Sequence, residues 1–151
     1  MKKFLSLRII PIFLMVFLIS ELALAGDIIT KDQSKLPAEA RNFISEHFSG
    51  KDVSHIKIDD GLFESTSYEV VFSDGTNVEF DDKGLWKEID CEHSAVPMAA
   101  IPQKIRDYVQ ANFPEQRITH IERERRGFEV ELLNDLTLEF DQNGTFKRLD
   151  D

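Results

Sequence analysis

The sequence has few cysteines, few basic residues and few glycines, and each scarcity excludes a class of function. Cys91 is the only cysteine, so the chain has no internal disulfide and no Cys/His spacing for a structural zinc site. Acidic residues outnumber basic ones by 28 to 18, which disfavours nucleic acid because its phosphates would be repelled. The sequence also lacks a glycine-rich phosphate loop and a nucleophile-elbow motif. We therefore expect a protein that is not an enzyme and has no cofactor.

One long apolar run occurs, and it lies at the start of the chain. Lys2 and Lys3 precede an apolar segment at residues 9–19, and Ala23-Leu24-Ala25 has the small-x-small pattern of a signal-peptidase site. The run is shorter than the ~20 residues of a membrane-spanning helix, so we interpret residues 1–25 as a cleaved signal peptide. The mature chain would have 15 basic and 27 acidic residues, a net charge of −12. We expect a periplasmic or secreted protein with no membrane attachment after cleavage.

The second half of the chain repeats the first. Residues 36–48 match residues 101–113 at an offset of 65, and residues 68–90 match residues 128–150 at an offset of 60. Self-similarity at this period predicts two copies of one supersecondary unit. A copy of about 50 to 55 residues is marginal for burying its own core, so we expect the two copies to pack together.

Each copy is predicted to begin with a helix and to continue with four strands. Apolar residues recur at helical spacing within residues 36–48 and 101–113. Alternating apolar residues separated by turn residues such as Asp74-Gly75 indicate strands joined by hairpins. The predicted strands are residues 53–58, 68–73, 76–80 and 85–89, then 118–123, 128–133, 136–140 and 145–149. The sequence thus predicts an α+β fold of two tandem helix–four-stranded antiparallel meander repeats, with the helices packed on one face of about eight strands.

Alternation along the strands assigns each residue to one face of the sheet. The outward-facing carboxylates include Glu69, Glu79, Glu129 and Glu139. The fourth strand of each copy resists this assignment, because Trp86 and Ile89 would lie on opposite faces, as would Phe146 and Leu149. Either a β-bulge intervenes or one aromatic residue is exposed.

A common pattern of apolar and turn residues runs through both copies. The second copy carries Pro102-x-x-Ile105-x-x-Tyr108-Val109-x-x-Asn112-Phe113-Pro114, then Phe128-Glu129-Val130, then Leu138-x-Phe140-Asp141-x-x-Gly144-x-Phe146. The first copy carries Tyr68-Glu69-Val70 and Val78-x-Phe80-Asp81-x-x-Gly84-x-Trp86. This pattern resembles the PepSY-like family, also called β-lactamase-inhibitor-like, although Ser49-Gly50 stands where the family usually has proline.

The resemblance implies a secreted or periplasmic protein with the tandem α+β fold of the β-lactamase inhibitor protein. With the signal peptide expected at residues 1–25, the chain divides further into an N-terminal linker (26–35), a first PepSY-like repeat (36–91), a second linker (92–99) and a second PepSY-like repeat (100–151). The resemblance supplies neither an activity nor inhibitory residues, because the shared pattern consists of core and turn positions.

The outward sheet face is the candidate metal site. His55 and His120 occupy equivalent positions near outward carboxylates. Adjacent strands lie about 4.7–4.9 Å apart, so a histidine and two glutamates could converge on zinc, or carboxylates alone on calcium. The candidate ligands are His55, Glu69, Glu79, His120, Glu129 and Glu139. The alternative is a solvated face on which Lys57 and Arg123 act as charge partners.

The first copy also has a longer hairpin, between residues 59 and 67, which the second copy lacks. Leu62 and Phe63 in this hairpin either form an apolar contact for a partner or fold back onto the core. The candidate partner-binding residues are Leu62, Phe63, Glu69, Glu79 and Trp86. The leading hypothesis is a non-enzymatic secreted protein that binds a protein partner and inhibits or modulates an envelope or extracellular hydrolase. The alternative is a divalent-cation-binding or sensing module of the cell envelope.

Overall fold

The computed structural model describes residues 26–61 and 65–150. The predicted signal peptide, Leu62 and Phe63 lie outside these residues. Nine strands and two α-helices follow one another in the described part of the chain. The strands are β1 (Ile28–Thr30), β2 (Val53–Asp59), β3 (Ser67–Phe72), β4 (Asn77–Phe80), β5 (Trp86–Asp90), β6 (Ile118–Glu124), β7 (Gly127–Leu132), β8 (Thr137–Asp141) and β9 (Phe146–Asp150), and the helices are α1 (Ala38–His47) and α2 (Gln103–Asn112).

Both helices begin directly after a proline. Pro37 and Pro102 have φ angles of −53°, and each carbonyl accepts a backbone hydrogen bond from the residue four positions on, at 3.1 Å. Proline suits this place because its fixed φ matches the helix and its missing N–H is not needed there. A 3₁₀ helix precedes each α-helix, at Gln33–Lys35 and Met98–Ala100. No helix among the described residues is long and apolar enough to cross a membrane.

The nine strands form one antiparallel sheet whose spatial order is the order of the chain, β1 to β9. The α+β class predicted from the sequence is therefore confirmed. The sheet has nine strands rather than about eight, because Ile28–Thr30 pairs with β2 inside the segment predicted as a linker. β5 pairs directly with β6, so the sheet continues without a break past α2.

Aromatic side chains connect the helices with the sheet. The Phe43 and Phe80 ring centroids lie 5.8 Å apart, and those of Phe48 and Phe72 lie 5.3 Å apart. In the second half, the ring centroids of Tyr108 and Phe140 lie 5.5 Å apart. The alternating sheet residues on this side are buried with the helix residues in one apolar cluster. Burial of each such large side chain contributes about 1.5–3 kcal/mol, so this side of the sheet holds the core.

A β-bulge settles the assignment of the fourth strands. The register shifts between Glu79 and Phe80, so that Phe80 lies opposite Trp86 while Val78 lies opposite Ile89. The extra residue turns the Trp86 side chain to the core side, where it is 8% exposed. An equivalent register shift places Phe146 opposite Phe140. The Phe146 ring stacks on the Tyr108 ring, with 4.5 Å between the two ring centroids.

Candidate functional site: the open face of the sheet

Six glutamates stand in single file across the face of the sheet that is turned away from the core. We call them the glutamate row: Glu69, Glu79, Glu88, Glu122, Glu129 and Glu139. Each is directly opposite the next on six consecutive strands, from β3 to β8. Lys57 lies opposite Glu69 at one end of the row, and Arg148 lies opposite Glu139 at the other.

The row follows from strand alternation combined with the register of the sheet. On the core side, the neighbouring positions of the same six strands form a row of buried aliphatic residues: Val70, Val78, Ile89, Ile121, Val130 and Leu138. Burial of these side chains fixes which residues point outward. Adjacent strands lie about 4.7–4.9 Å apart, and like charges placed directly opposite destabilise a sheet. The glutamate row therefore costs folding free energy when its carboxylates are ionised.

Cations offset part of this repulsion. Lys87 Nζ lies 2.7 Å from Glu79 Oε1, and Arg148 donates a hydrogen bond to Glu139. These contacts raise the pKa of Lys87 and lower the pKa of Glu139. His120 Nε2 lies 3.1 Å from Glu88 Oε1.

Three members of the row, Glu69, Glu122 and Glu129, make no ion pair with any described residue. Partial burial raises the pKa of Glu122, and the nearby carboxylates of Glu88, Glu124 and Glu129 raise it further, against a smaller opposing effect of His120. Glu122 and Glu129, which are neighbours in the row, thus have no ion-pair partner among the described residues.

The structure separates the predicted metal ligands more than the sequence suggested. Glu69 and Glu79 are opposite each other, as are Glu129 and Glu139, but His55 lies opposite Val71. His55 Nδ1 lies 3.3 Å from Ser54 Oγ. His120 lies opposite Asp90 and Glu131 instead of Glu129. The described residues contain no group of three or more His, Cys, Asp or Glu side chains placed to hold a metal ion.

The predicted partner-binding residues do not share one surface. Glu69 and Glu79 lie together on the open face, whereas Trp86 points to the core side. The Arg123 guanidinium covers the Trp86 ring, with its carbon 4.2 Å from the ring centroid. Burial lowers the pKa of Arg123.

A cleft of about 550 Å³ adjoins the glutamate row at the connection between the two halves of the sheet. Asp90, Glu92, His93, His120 and Glu131 contribute its polar walls. The cleft extends the negative surface of the open face beyond the six glutamates.

Sequence reasoning missed Glu88, which joins the two halves of the row. Glu88 lies directly opposite Glu122 across the β5–β6 pair. No hairpin turn connects these two strands, because α2 lies between them in the chain. Their register therefore has no local signal, and alternation alone could not predict this contact.

Comparison with protein families matches residues 66–148 to the family described as "Putative beta-lactamase-inhibitor-like, PepSY-like". The comparison with curated proteins gives no match. Several solved structures are similar. One from Bacteroides vulgatus, described as a "putative periplasmic protein of unknown function", is 47% identical, with a TM-score of 0.78 over 83% of this chain and 100% of that one.

A second similar structure, from Bacteroides thetaiotaomicron, is described as a "putative calcium-regulated periplasmic protein". It is 38% identical, with a TM-score of 0.78 over 83% of this chain and 97% of that one. A third, a "putative periplasmic protein" from Bacteroides vulgatus, is 35% identical, with a TM-score of 0.78 over 85% and 99% of the two chains. Because the family match spans more than half of the sequence and the similarity to these structures extends over most of it, this chain belongs to the PepSY-like, β-lactamase-inhibitor-like family.

Proposed function

We propose that this chain is a non-enzymatic periplasmic binding protein that uses the glutamate row to bind a cationic surface on a protein partner. The observation that carries the proposal is the row itself, in which three of six directly opposed glutamates have no ion pair among the described residues. A folded protein gains nothing in stability from such an arrangement. A partner with complementary positive charge would relieve the repulsion and would be attracted from a distance.

Two further features support this assignment. The similar structures from Bacteroides are described as periplasmic proteins, which agrees with the signal peptide expected at residues 1–25. The family description "beta-lactamase-inhibitor-like" favours an inhibitor or modulator of an envelope or extracellular hydrolase as the specific role. In this proposal Leu62 and Phe63, which lie between β2 and β3 in the sequence, supply an apolar contact for the same partner.

The test compares two variants of equal net charge. The row variant E69Q/E122Q/E129Q neutralises only the three glutamates that make no ion pair, so it breaks no salt bridge. The matched control E46Q/D107N/E115Q neutralises three exposed carboxylates elsewhere. Each tagged protein is used to capture partners from a periplasmic extract, and bound proteins are quantified by mass spectrometry. We expect the row variant to lose a partner that wild type and control retain; equal recovery by both variants would refute the proposal.

A second candidate function is calcium binding on the same face. Glu122 and Glu129 lie opposite each other and make no ion pair with the described residues, and calcium prefers carboxylate oxygens completed by water. The relative described as "putative calcium-regulated" adds support. Isothermal titration of calcium into wild type and the row variant tests it. Heat in wild type that is absent in the row variant would favour calcium, and no heat at millimolar calcium would exclude it.

A further inference from the structure

A small cavity lies on the core side of the sheet, away from the glutamate row. It has a volume of about 190 Å³ and lies between one side of α2 and the start of β6. Val109 and Ile118, both buried, and Met98, half-exposed, contribute apolar surface. Clefts for drug-sized ligands measure roughly 300–1,000 Å³, so an occupant of this cavity has to be small.

The charge of the cavity is opposite to that of the chain as a whole. Arg106 and Arg117 line it, together with Gln110 and Gln116, and no carboxylate of residues 26–61 or 65–150 does. The sequence has 28 acidic residues against 18 basic ones, so a cavity wall with only positive charge is unusual in this molecule. Neither arginine forms an ion pair with another described residue.

One of the two arginines is already held in place. Arg106 Nη1 donates a hydrogen bond of 2.8 Å to the carbonyl of Met98, which fixes the side chain along the cavity wall. A guanidinium has five donors, so Arg106 keeps others for a ligand. Planar guanidinium groups suit carboxylates because they donate two parallel hydrogen bonds.

The first half of the chain provides an internal comparison. By the offset of 65, Arg41 corresponds to Arg106 and Asp52 corresponds to Arg117. Arg41 makes the same type of bond, from Nη1 to the carbonyl of Leu36. Lys51, which corresponds to Gln116, forms an ion pair with Asp74, so a second basic group without an ion pair beside this place in the fold is found, among the described residues, only in the second half, at Arg117.

We propose that this cavity binds a small amphiphilic carboxylate, with its anionic group on Arg106 and Arg117 and its apolar part against Val109, Ile118 and Met98. The proposal is independent of the one made for the open face, because the two sites lie on opposite sides of the sheet. The flexible Met98 side chain adapts to apolar chains of different shape.

Titration with octanoate, followed by amide chemical shifts in nuclear magnetic resonance spectra, tests the proposal. We expect saturable shifts centred on Val109 and Ile118. Arg117→Gln should weaken octanoate binding about tenfold or more, since a hydrogen bond to a charged group is lost. Arg126→Gln, which removes an arginine on the β6–β7 turn, should leave binding unchanged, and thermal unfolding of each variant verifies its fold.

Three results would overturn the proposal. They are the absence of saturable shifts in wild type, equal affinity in folded Arg117→Gln, and equally tight binding of octan-1-ol, which has the same chain without the charge.

Discussion

At the scale of single residues, Glu122 shows how the sheet changes the properties of a side chain. Its pKa is raised chiefly by partial burial and then by the neighbouring Glu88 and Glu124 carboxylates. A carboxyl group with a raised pKa in the folded state binds its proton more tightly there than in the unfolded chain. Its contribution to the stability of the folded state therefore increases as the pH falls through the folded pKa. At a pH above the folded pKa, the ionised carboxylate lowers that stability.

Glu122→Gln should consequently stabilise the protein at neutral pH. We expect the free energy of unfolding to rise by roughly 0.2–1 kcal/mol, the usual size of a cross-strand pair effect, and the gain in stability on mild acidification to become smaller. Urea unfolding followed by the fluorescence of Trp86, the only tryptophan, measures both effects. Glu115→Gln, at an exposed position, is the control. A less stable Glu122→Gln protein would contradict this account of the row.

Sequence alternation was sufficient to assign the facing of four glutamates in the row but not that of Trp86. Glu69, Glu79, Glu129 and Glu139 were predicted to face outward, and they do, because the hairpins within each half preserve a period of two. Trp86 could not be assigned in this way, since the bulge opposite Phe80 has no signature in residue type. A single extra residue decided which face the aromatic ring occupies.

At the scale of elements, the turn between β4 and β5 is fitted against the start of α1. Gly84 in this turn has φ +82°, and a Cβ atom there would lie 2.8 Å from both the backbone nitrogen of Ala40 and the Cβ of Pro37. Gly144 takes the same position against α2, with Lys104 Cβ at 3.2 Å from its Cβ site. Glycine at these turns permits both the left-handed backbone and the close approach of the helix.

Gly84→Ala should therefore destabilise the protein by about 1–3 kcal/mol, because the new methyl group is strained in conformation and overlaps the helix. Gly50→Ala is the matched control: no atom of another described residue lies within 4 Å of its Cβ site, apart from its chain neighbours, and its φ is not positive. We expect the control to change stability by less than about 0.5 kcal/mol. Thermal unfolding of the two variants in parallel makes the comparison. Equal stability of the two variants would show that the turn and helix are not in firm contact.

The helices and hairpins were the elements that local sequence predicted well. Each has its own signal, either apolar residues at helical spacing or a turn sequence between alternating strands. β1 lacked such a signal because it has only three residues, of which Ile28 and Ile29 are exposed. It is a strand because it pairs with β2, and a salt bridge between Asp27 and Lys57 at 3.1 Å lies beside that pairing.

At the scale of the whole molecule, charge is distributed unevenly between the two sides of the sheet. The chain carries a net charge of −10, and six of its acidic residues are concentrated in one line on the open face. Charges separated by one strand spacing are closer than the Debye length of about 10 Å at 0.1 M salt. Their repulsion should therefore respond to ionic strength.

Added sodium chloride should raise the temperature of thermal unfolding at neutral pH. Between about 0.01 and 1 M salt the Debye length falls from about 30 to 3 Å, which weakens the repulsion along the row. The E69Q/E122Q/E129Q variant should show a smaller increase than E46Q/D107N/E115Q, which has the same net charge. If added salt lowered the unfolding temperature, stabilising ion pairs would outweigh the repulsion along the row. If salt raised the unfolding temperature equally in both variants, the effect would come from the net charge of the protein and not from the row.

The order of the strands also determines how the sheet can be assembled. Every strand lies beside the strands that precede and follow it in the chain, so none has to be threaded between two that are already joined. Eight pairings can form one after another, and only two of them, β1 with β2 and β5 with β6, have to wait for a helix to be made first. A polypeptide that emerges from a narrow pore with its amino terminus first could thus pair its strands in the order in which they emerge. Most of these pairings join residues that are close in the sequence, and such local contacts favour rapid folding.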